Sequence, residues 1–478
     1  MDVTSPPASR LPLSAVEYYR DAAVRARVLE FCGASGSLPP TAAFVVVFDP
    51  EAKPFPTWDT ARRLSWDDGL PWAAGQDLSR SLWDTAHLVF FIELDYLNVD
   101  QRDEPFRHPA DVLVALEPSY QAMRVVLARF RLGTACFASG RGYHFIGVVP
   151  LDDPIVDELA ALMPTTPSWW QTHRARRPAG VRAEISERQA RAADGLGLLI
   201  EHAAHLVLRK ARRSSPTPVV FNGTKVGRGL NGRSCVSIDF SHAGDPLDAR
   251  FVRTGFSTYQ WHRYRPDIFG EAVARSIRPW AVVPRRERAL LDLLAEGRSL
   301  AAARQAAQAT SGSLPDVASG VGELLAHYRQ SRLGYFHQRF LHALPPAIGA
   351  GSIRSLPPLP ACGTTALSTP NDLLLQPAHL QHLTRLLLVR GWNPAHIAAL
   401  VQSRYEADHA WGDRWQRLHA ETRAAFDVRV FAGLVETGLD TLTDFNCVSA
   451  QEKDLCPGAP CSYNLLRDCA ELSSRRTA

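Results

Sequence analysis

The chain has 478 residues, 46% of them hydrophobic and 21% charged, and a formal net charge of +4. That length makes two or three domains and that composition builds a packed core, which excludes a disordered chain. The charge is too mild to imply nucleic-acid binding by itself. No apolar run reaches the length of a bilayer span, and Met1–Pro7 lacks a basic stretch followed by an apolar one, so the expected setting is cytoplasmic, with no membrane partner.

Residues 14–32 read as an amphipathic helix capped by Ser14. The run Ala43–Phe48 reads as a buried strand that ends in a turn at Asp49-Pro50. Residues 51–80 carry no pattern that assigns them. The stretch His87–Tyr96 is β-branched and aromatic and carries Glu93 and Asp95. On a strand these two point the same way, with Ile92 and Leu94 turned into the core. Two carboxylates on one face of an apolar strand are costly unless they bind a cation, and hard oxygen ligands suit Mg²⁺ or Mn²⁺. The bland alternative is a solvent-facing pair at the strand end. Asp100 reads as turn chemistry.

A helix is expected over 109–130. Apolar residues then flank Ser139-Gly140-Arg141-Gly142 on both sides, which predicts a β-hairpin with a glycine-bearing connection. Gly140 and Gly142 allow positive φ and a close backbone approach to a ligand. Ser139, Arg141 and His144 supply a hydroxyl, a planar cation and an imidazole, a set that suits a triphosphate. Residues 151–184 are Pro- and Arg-rich and read as a loop excursion. A long helix capped by Ser186 is expected to residue 211, and Pro218–Phe221 reads as a short strand. A flexible loop with Lys225, Arg228 and Arg233 follows, then a strand over Ser234–Phe240 that carries Asp239. Arg253 and Ser257 stand beyond it. From about residue 265 the pattern is helical almost throughout, with three or four helices over 286–343, a proline-rich linker over 344–361, and helices over 379–391, 393–406 and 410–435. The basic runs at 173–177 and 209–213 suit either phosphate backbones or a solvated surface.

In order, the chain thus offers an acidic strand (Glu93, Asp95), a Ser139–His144 hairpin, a third acidic strand end (Asp239), and Arg253 with Ser257. This order and spacing resemble the archaeo-eukaryotic primase superfamily, the small catalytic subunit and the primase-polymerases, over roughly residues 40–275. The acid-x-acid strand is that family's first motif, the Ser-x-x-x-x-His hairpin its second, and the apolar-Asp strand, here Ile238-Asp239, its third. The resemblance implies two-metal nucleotidyl transfer on a single-stranded DNA template. Glu93, Asp95 and Asp239 would bind Mg²⁺ or Mn²⁺, and Ser139, Arg141, His144, Arg253 and Ser257 would bind the nucleoside triphosphate. It departs from the family in placing Glu93 where an aspartate is commoner. It also lacks the lysine past the serine, where Trp261-His262-Arg263 stand. Asp245 and Asp248 compete with Asp239 for the third motif.

Cys136 and Cys235 sit in strand-like contexts as core thiols. Five of the eight cysteines fall at or beyond Cys362, a bias that favours metal or cluster ligation over disulfides. Leu356-Pro357-Pro358-Leu359-Pro360-Ala361-Cys362, helices, then Cys447, Cys456 and Cys461 resemble the iron–sulfur domain of the primase large subunit. The resemblance implies that Cys362, Cys447, Cys456 and Cys461 hold a [4Fe–4S] cluster. Read from spacing alone, Cys447, Cys456, Cys461 and Cys469 make a zinc site instead. Arg385, Arg404, Arg414 and Arg417, with Trp392, Trp411 and Trp415, are either template contacts or core tryptophans and solvated arginines.

The expected fold is α+β. It comprises a helical extension over 1–40, a primase-type catalytic domain over 41–280 with an RRM-like antiparallel sheet core, a helical connector over 281–353, and an all-α cysteine-containing domain over 354–478. The expected function is a DNA primase or primase-polymerase, with a helicase or other replication proteins as further partners. The alternatives are an end-filling repair polymerase and a non-catalytic nucleic-acid-binding accessory protein.

Overall fold

The computed structural model describes residues 13–48, 62–64, 75–174, 184–229, 232–343, 356–368, 371–407, 418–458 and 461–477. Its strands are β1 (Val45–Phe48), β2 (Arg62–Leu64), β3 (Asp77–Ser81), β4 (His87–Asn98), β5 (Ala135–Ala138), β6 (Gly142–Pro150), β7 (Val219–Phe221), β8 (Ser234–Asp239), β9 (Phe251–Arg253), β10 (Thr258–Tyr259), β11 (Trp280–Ala281) and β12 (Val283–Pro284). Six of them form the main sheet, in the order β12-β5-β6-β4-β8-β7, and four form a second sheet, β2-β1-β3-β9. Every pair in the main sheet is antiparallel except β7–β8, so the sheet is mixed rather than the wholly antiparallel one expected. The parallel pair arises because the chain reaches β8 through the long 222–233 loop instead of a tight hairpin.

The long strand β4 decides where chemistry can happen. Leu88, Phe90, Ile92 and Leu94 are 1% exposed or less and carry one face of the sheet into the core. The helices Pro109–Arg129 and Glu187–Ala211 pack on that face. Both start as their sequences dictate: Pro109 takes the first helical position, and the Ser186 hydroxyl accepts the Gln189 amide. The odd-numbered residues of β4, Phe91, Glu93 and Asp95, are left to the other face, toward the second sheet.

The N-terminal helices Ala15–Arg20 and Ala22–Phe31 are welded to the strands. Tyr18 donates to the Phe256 carbonyl at 3.0 Å, and the Tyr19 hydroxyl accepts the Thr258 amide at 2.8 Å. Three stretches depart from the sequence pattern, the first being the single helix expected over 14–32, which breaks at Asp21, an extended residue whose carboxylate caps the second helix. Within 151–184, Ile155–Ala160 and Ser168–Arg174 are helical; the first buries Ile155, Val156 and Leu159 against the Glu187–Ala211 helix, enough apolar contact to order a single turn and a half. Past residue 265, β11 and β12 interrupt the helical run. Each is two residues long, too short to show a period of two.

Four helices follow over 290–343, and the C-terminal region is helical, with Pro377–Val389, Pro394–Tyr405 and Ala420–Glu436 packed together. A small separate core there gathers Cys362, Leu386, Val389, Phe445 and Leu465. No helix among the described residues is long and apolar enough to cross a membrane.

The hairpin glycines play unequal roles. Gly140 has φ +81°, which a residue with a Cβ adopts only under strain. Gly142 has no positive φ; a Cβ there would collide with the Leu94 carbonyl oxygen of the neighbouring strand. The close approach at Gly142 is therefore strand to strand, not to a ligand. Gly142→Ala is expected to cost about 3 kcal/mol, since backbone rather than a flexible side chain must give way. Thermal melting checks this, and a melting temperature equal to wild type would contradict it.

Candidate active site

Three strands build the site. In the β4–β6 register Glu93 faces His144 and Asp95 faces Gly142; in the β4–β8 register Glu93 faces Asp239. Directly opposed residues share a face, so Glu93, Asp95, Asp239 and His144 all rise from the side of the sheet that the helices leave uncovered. Of Asp239, Asp245 and Asp248, it is Asp239 that the antiparallel register sets on this face. Asp245 is buried and ion-paired with Arg250 and Arg423, and Asp248 is also buried.

The charges are paired across the strands. His144 Nε2 lies 2.9 Å from Glu93 Oε1, and Arg141 binds Asp95 Oδ2. Asp95 is 4% exposed, and its Oδ1 is buried without a hydrogen-bond partner. Burial pushes the Asp95 carboxyl up to about 7, against the pull of Arg141 and with the repulsion of Glu93 and Asp239. Burial acts on Glu93 in the same sense, but the His144 imidazole, then Arg141 and His242, hold it down at about 2. Phe91 packs edge-on against His144 at 5.5 Å between ring centres and stands 5.1 Å from the His242 ring.

This face is the floor of a cleft of about 830 Å³, with Ser139 and Arg141 at one end. The opposite wall comes from the second sheet and the turns after it, through Ser79, Phe251, Arg253, Tyr259 and Trp261. Arg253 donates to Asp77 Oδ2 at 2.8 Å and sits 4.6 Å over the Tyr259 ring. Arg141 lies 5.9 Å over Trp261, so a cation and an indole meet across the cleft. Ser257 turns away from all this. It is fully buried, its hydroxyl donates to the Thr258 carbonyl at 3.3 Å, and it does not line the cleft.

Sequence reasoning passed over Arg250, His242 and the aromatic wall. Arg250 lies three residues before Arg253, and His242 three after Asp239, but neither spacing marks a shared cleft without the fold. The aromatic residues are spread over β9, β10 and the short helix Trp261–Tyr264, with no period to betray them.

Glu93, Asp95 and Asp239 supply hard oxygen donors, and Asp95 Oδ1 is buried with no partner in the protein, so the donor set fits Mg²⁺ or Mn²⁺. In this arrangement Arg141 and His144 occupy part of that role, and among the described residues no three His, Cys, Asp or Glu side chains are gathered into a ready metal shell.

At the C-terminal end, Cys362 is buried, with His382 Nε2 3.1 Å from its sulfur. Burial pushes the Cys362 thiol up to about 12, and the neighbouring sulfurs of Cys456, Cys447 and Cys461 add to the push. The four cysteines named from sequence are thus electrostatic neighbours. Cys469 packs against the same small core as Cys447 and Cys456, its thiol donating to the Leu442 carbonyl at 3.5 Å. Arg385 is no template contact: it is buried and ion-paired with Asp440 at 2.6 Å. Trp392 packs against the core. Trp411, Arg414, Trp415 and Arg417 lie outside the described residues.

Comparison of the chain with protein-family models, with curated proteins and with solved structures finds no match.

Proposed function

We propose that the chain is a template-directed nucleotidyltransferase, a DNA primase or primase-polymerase acting in the cytoplasm on single-stranded DNA. The observation that carries this reading is the register of β6, β4 and β8. It sets Glu93, Asp95 and Asp239 beside the Ser139–His144 hairpin on the floor of one cleft large enough for a nucleotide. Three carboxylates alone would suit many metal enzymes. Three carboxylates beside a hydroxyl, an imidazole and several arginines suit a reaction in which a triphosphate is held while its α-phosphorus is attacked.

The chain's own groups divide that work. Ser139, Arg141 and His144 grip the triphosphate from the floor, and Arg250 and Arg253 face it from the other wall. Trp261 and Phe251 give the base a surface to stack on. Glu93, Asp95 and Asp239 would hold Mg²⁺ or Mn²⁺, which lowers the pKa of the attacking 3′-hydroxyl and neutralises charge on the departing pyrophosphate. Arg141 balances Asp95 in the structure, so the carboxylate face is kept from repelling an incoming polyanion. A second domain near the cleft helps most at initiation, when two nucleotides must be held together before any duplex exists.

Labelled nucleoside triphosphates on unprimed single-stranded DNA, with Mg²⁺ or Mn²⁺, test the reading. Dinucleotides and short products are expected. Extension of a supplied primer without unprimed products identifies an end-filling repair polymerase. Absence of metal-dependent triphosphate binding identifies a non-catalytic accessory protein.

The hairpin makes a separate prediction. Arg141→Ala and His144→Ala should each weaken triphosphate binding about tenfold or more, the worth of a charge-assisted hydrogen bond, and leave template affinity nearly unchanged. Equilibrium titrations with each ligand measure both. The opposite ranking would make the hairpin a template contact.

A further inference from the structure

Asp245 lies where two arginines from distant parts of the chain meet. One is Arg250, which binds Asp245 Oδ2, keeps 20% of its side chain exposed and lines the cleft. The other is Arg423, on the Ala420–Glu436 helix, whose Nη1 stands 3.4 Å from the same oxygen. Arg423 also holds Asp427, with Nε 3.0 Å from Oδ2 and Nη2 3.2 Å from Oδ1. Neither carboxylate side chain is more than 4% exposed. The result is a buried row of alternating charge, Asp427, Arg423, Asp245 and Arg250, that starts in the C-terminal helices and ends in the wall of the cleft.

A second strut runs beside it. Arg423 Nη1 donates to the Ser241 carbonyl at 2.9 Å, and the Ser241 amide donates to Asp239 Oδ1 at 2.8 Å. The Phe426 ring fills the space against Gly244 so closely that a Cβ there would strike it. One turn, Ser241–Gly244, is therefore clamped by the C-terminal helix on one side and orients a cleft carboxylate on the other.

We infer that Arg423 is a positioning residue for the triphosphate subsite: by sharing Asp245 it loosens that carboxylate's hold on Arg250, and by fixing the Ser241 carbonyl it steadies Asp239. The inference rests on the reading of the cleft as a nucleotide site. Its physical basis is competition. A buried carboxylate with a single arginine partner draws it into a tight pair, whereas one shared between two arginines holds each less strongly. With Arg423 present, Arg250 can exchange part of its bond to Asp245 for a phosphate oxygen. Without Arg423, Asp245 claims Arg250 and the cleft loses a cation.

Truncating Arg423 alone would leave Asp427 buried and uncompensated, so the main variant replaces the pair, Arg423→Met with Asp427→Leu. Such apolar replacement of a buried pair is often neutral for folding. The second variant is Arg423→Lys, which keeps the charge and loses the fork. ATP, dATP and AMP are titrated into the full-length wild type, both variants, Arg250→Ala, and the pair combined with Arg250→Ala. The inference assigns Arg250 to the β- and γ-phosphates, so the pair is expected to weaken ATP or dATP binding about tenfold and AMP binding less than about twofold. Arg423→Lys is expected to show a smaller loss in the same direction. In the Arg250→Ala background the pair is expected to cost clearly less than in the wild-type background, the remainder being the loss of the Ser241 strut. Equal losses for AMP and the triphosphates, a loss that adds fully to that of Arg250→Ala, or unchanged affinity in a variant that melts like wild type would each overturn the inference. A wild type that binds neither triphosphate would instead remove the reading of the cleft, and the inference with it.

Discussion

Asp95→Ala is expected to abolish nucleotide addition and leave the fold in place. Asp95 stands two residues along β4 from Glu93, which faces Asp239 on the next strand, and one of its oxygens is buried with no partner in the protein. A metal-binding carboxylate contributes several kcal/mol to the transition state. Removing it should slow addition about a thousandfold, which is about 4 kcal/mol. Folding should hardly suffer, because the side chain contributes no apolar packing and its charge is crowded by two like charges. The core under it, Ile92 and Leu94, is untouched. Arg141 loses its partner, but its side chain is 29% exposed and reaches the water of the cleft. Single-nucleotide addition to a supplied primer, measured beside a melting curve, decides the matter. Wild-type rates in a folded Asp95→Ala protein would sink the role given to this face.

How much of this was legible beforehand follows from the distances over which sequence patterns act. Glu93 and Asp95 could be placed on one face because a strand has a period of two, and the capping of the helices by Ser14 and Ser186 could be read because a cap and its partner lie three residues apart. The hairpin was legible for the same reason. Its glycines were only half understood, since the atom that excludes a side chain at Gly142 is the Leu94 carbonyl, on a strand far away in sequence. Ser257 illustrates the opposite failure. Four residues from Arg253 it looks like a partner in the site, yet a turn separates them and leaves Arg253 in the cleft and Ser257 fully buried outside it. Arg250 and Arg423 lay beyond reach altogether, because 173 residues separate two side chains that share one carboxylate.

The cysteines at the C-terminal end give the second large expectation. Protein isolated without oxygen should contain about four iron and four sulfide per chain, and Cys362→Ser should lose the iron. Cys362 is the member of the proposed set that no local motif would include, 85 residues before Cys447. The fold nevertheless buries it in the small C-terminal core, where Cys447 and Cys456 pack, and makes Cys456, Cys447 and Cys461 its electrostatic neighbours. Four thiols so placed repel one another once ionised, and a cluster bound to all four relieves that repulsion, which is why metal binding and folding would be coupled here. Serine is the right probe because it nearly preserves shape and can keep a hydrogen bond with His382, 3.1 Å from the sulfur, so the apoprotein should tolerate it. What should change is the link between the Pro357–Pro360 approach and the chain end. Its loss should loosen the C-terminal helices and impair initiation more than extension of a supplied primer. The Cys469 thiol, donating to Leu442, lies outside this set, so Cys469→Ser should leave the iron in place. Stoichiometric zinc without iron in protein isolated without oxygen, unaffected by Cys362→Ser and lost in Cys469→Ser, would reverse the assignment and make the site a local zinc knot.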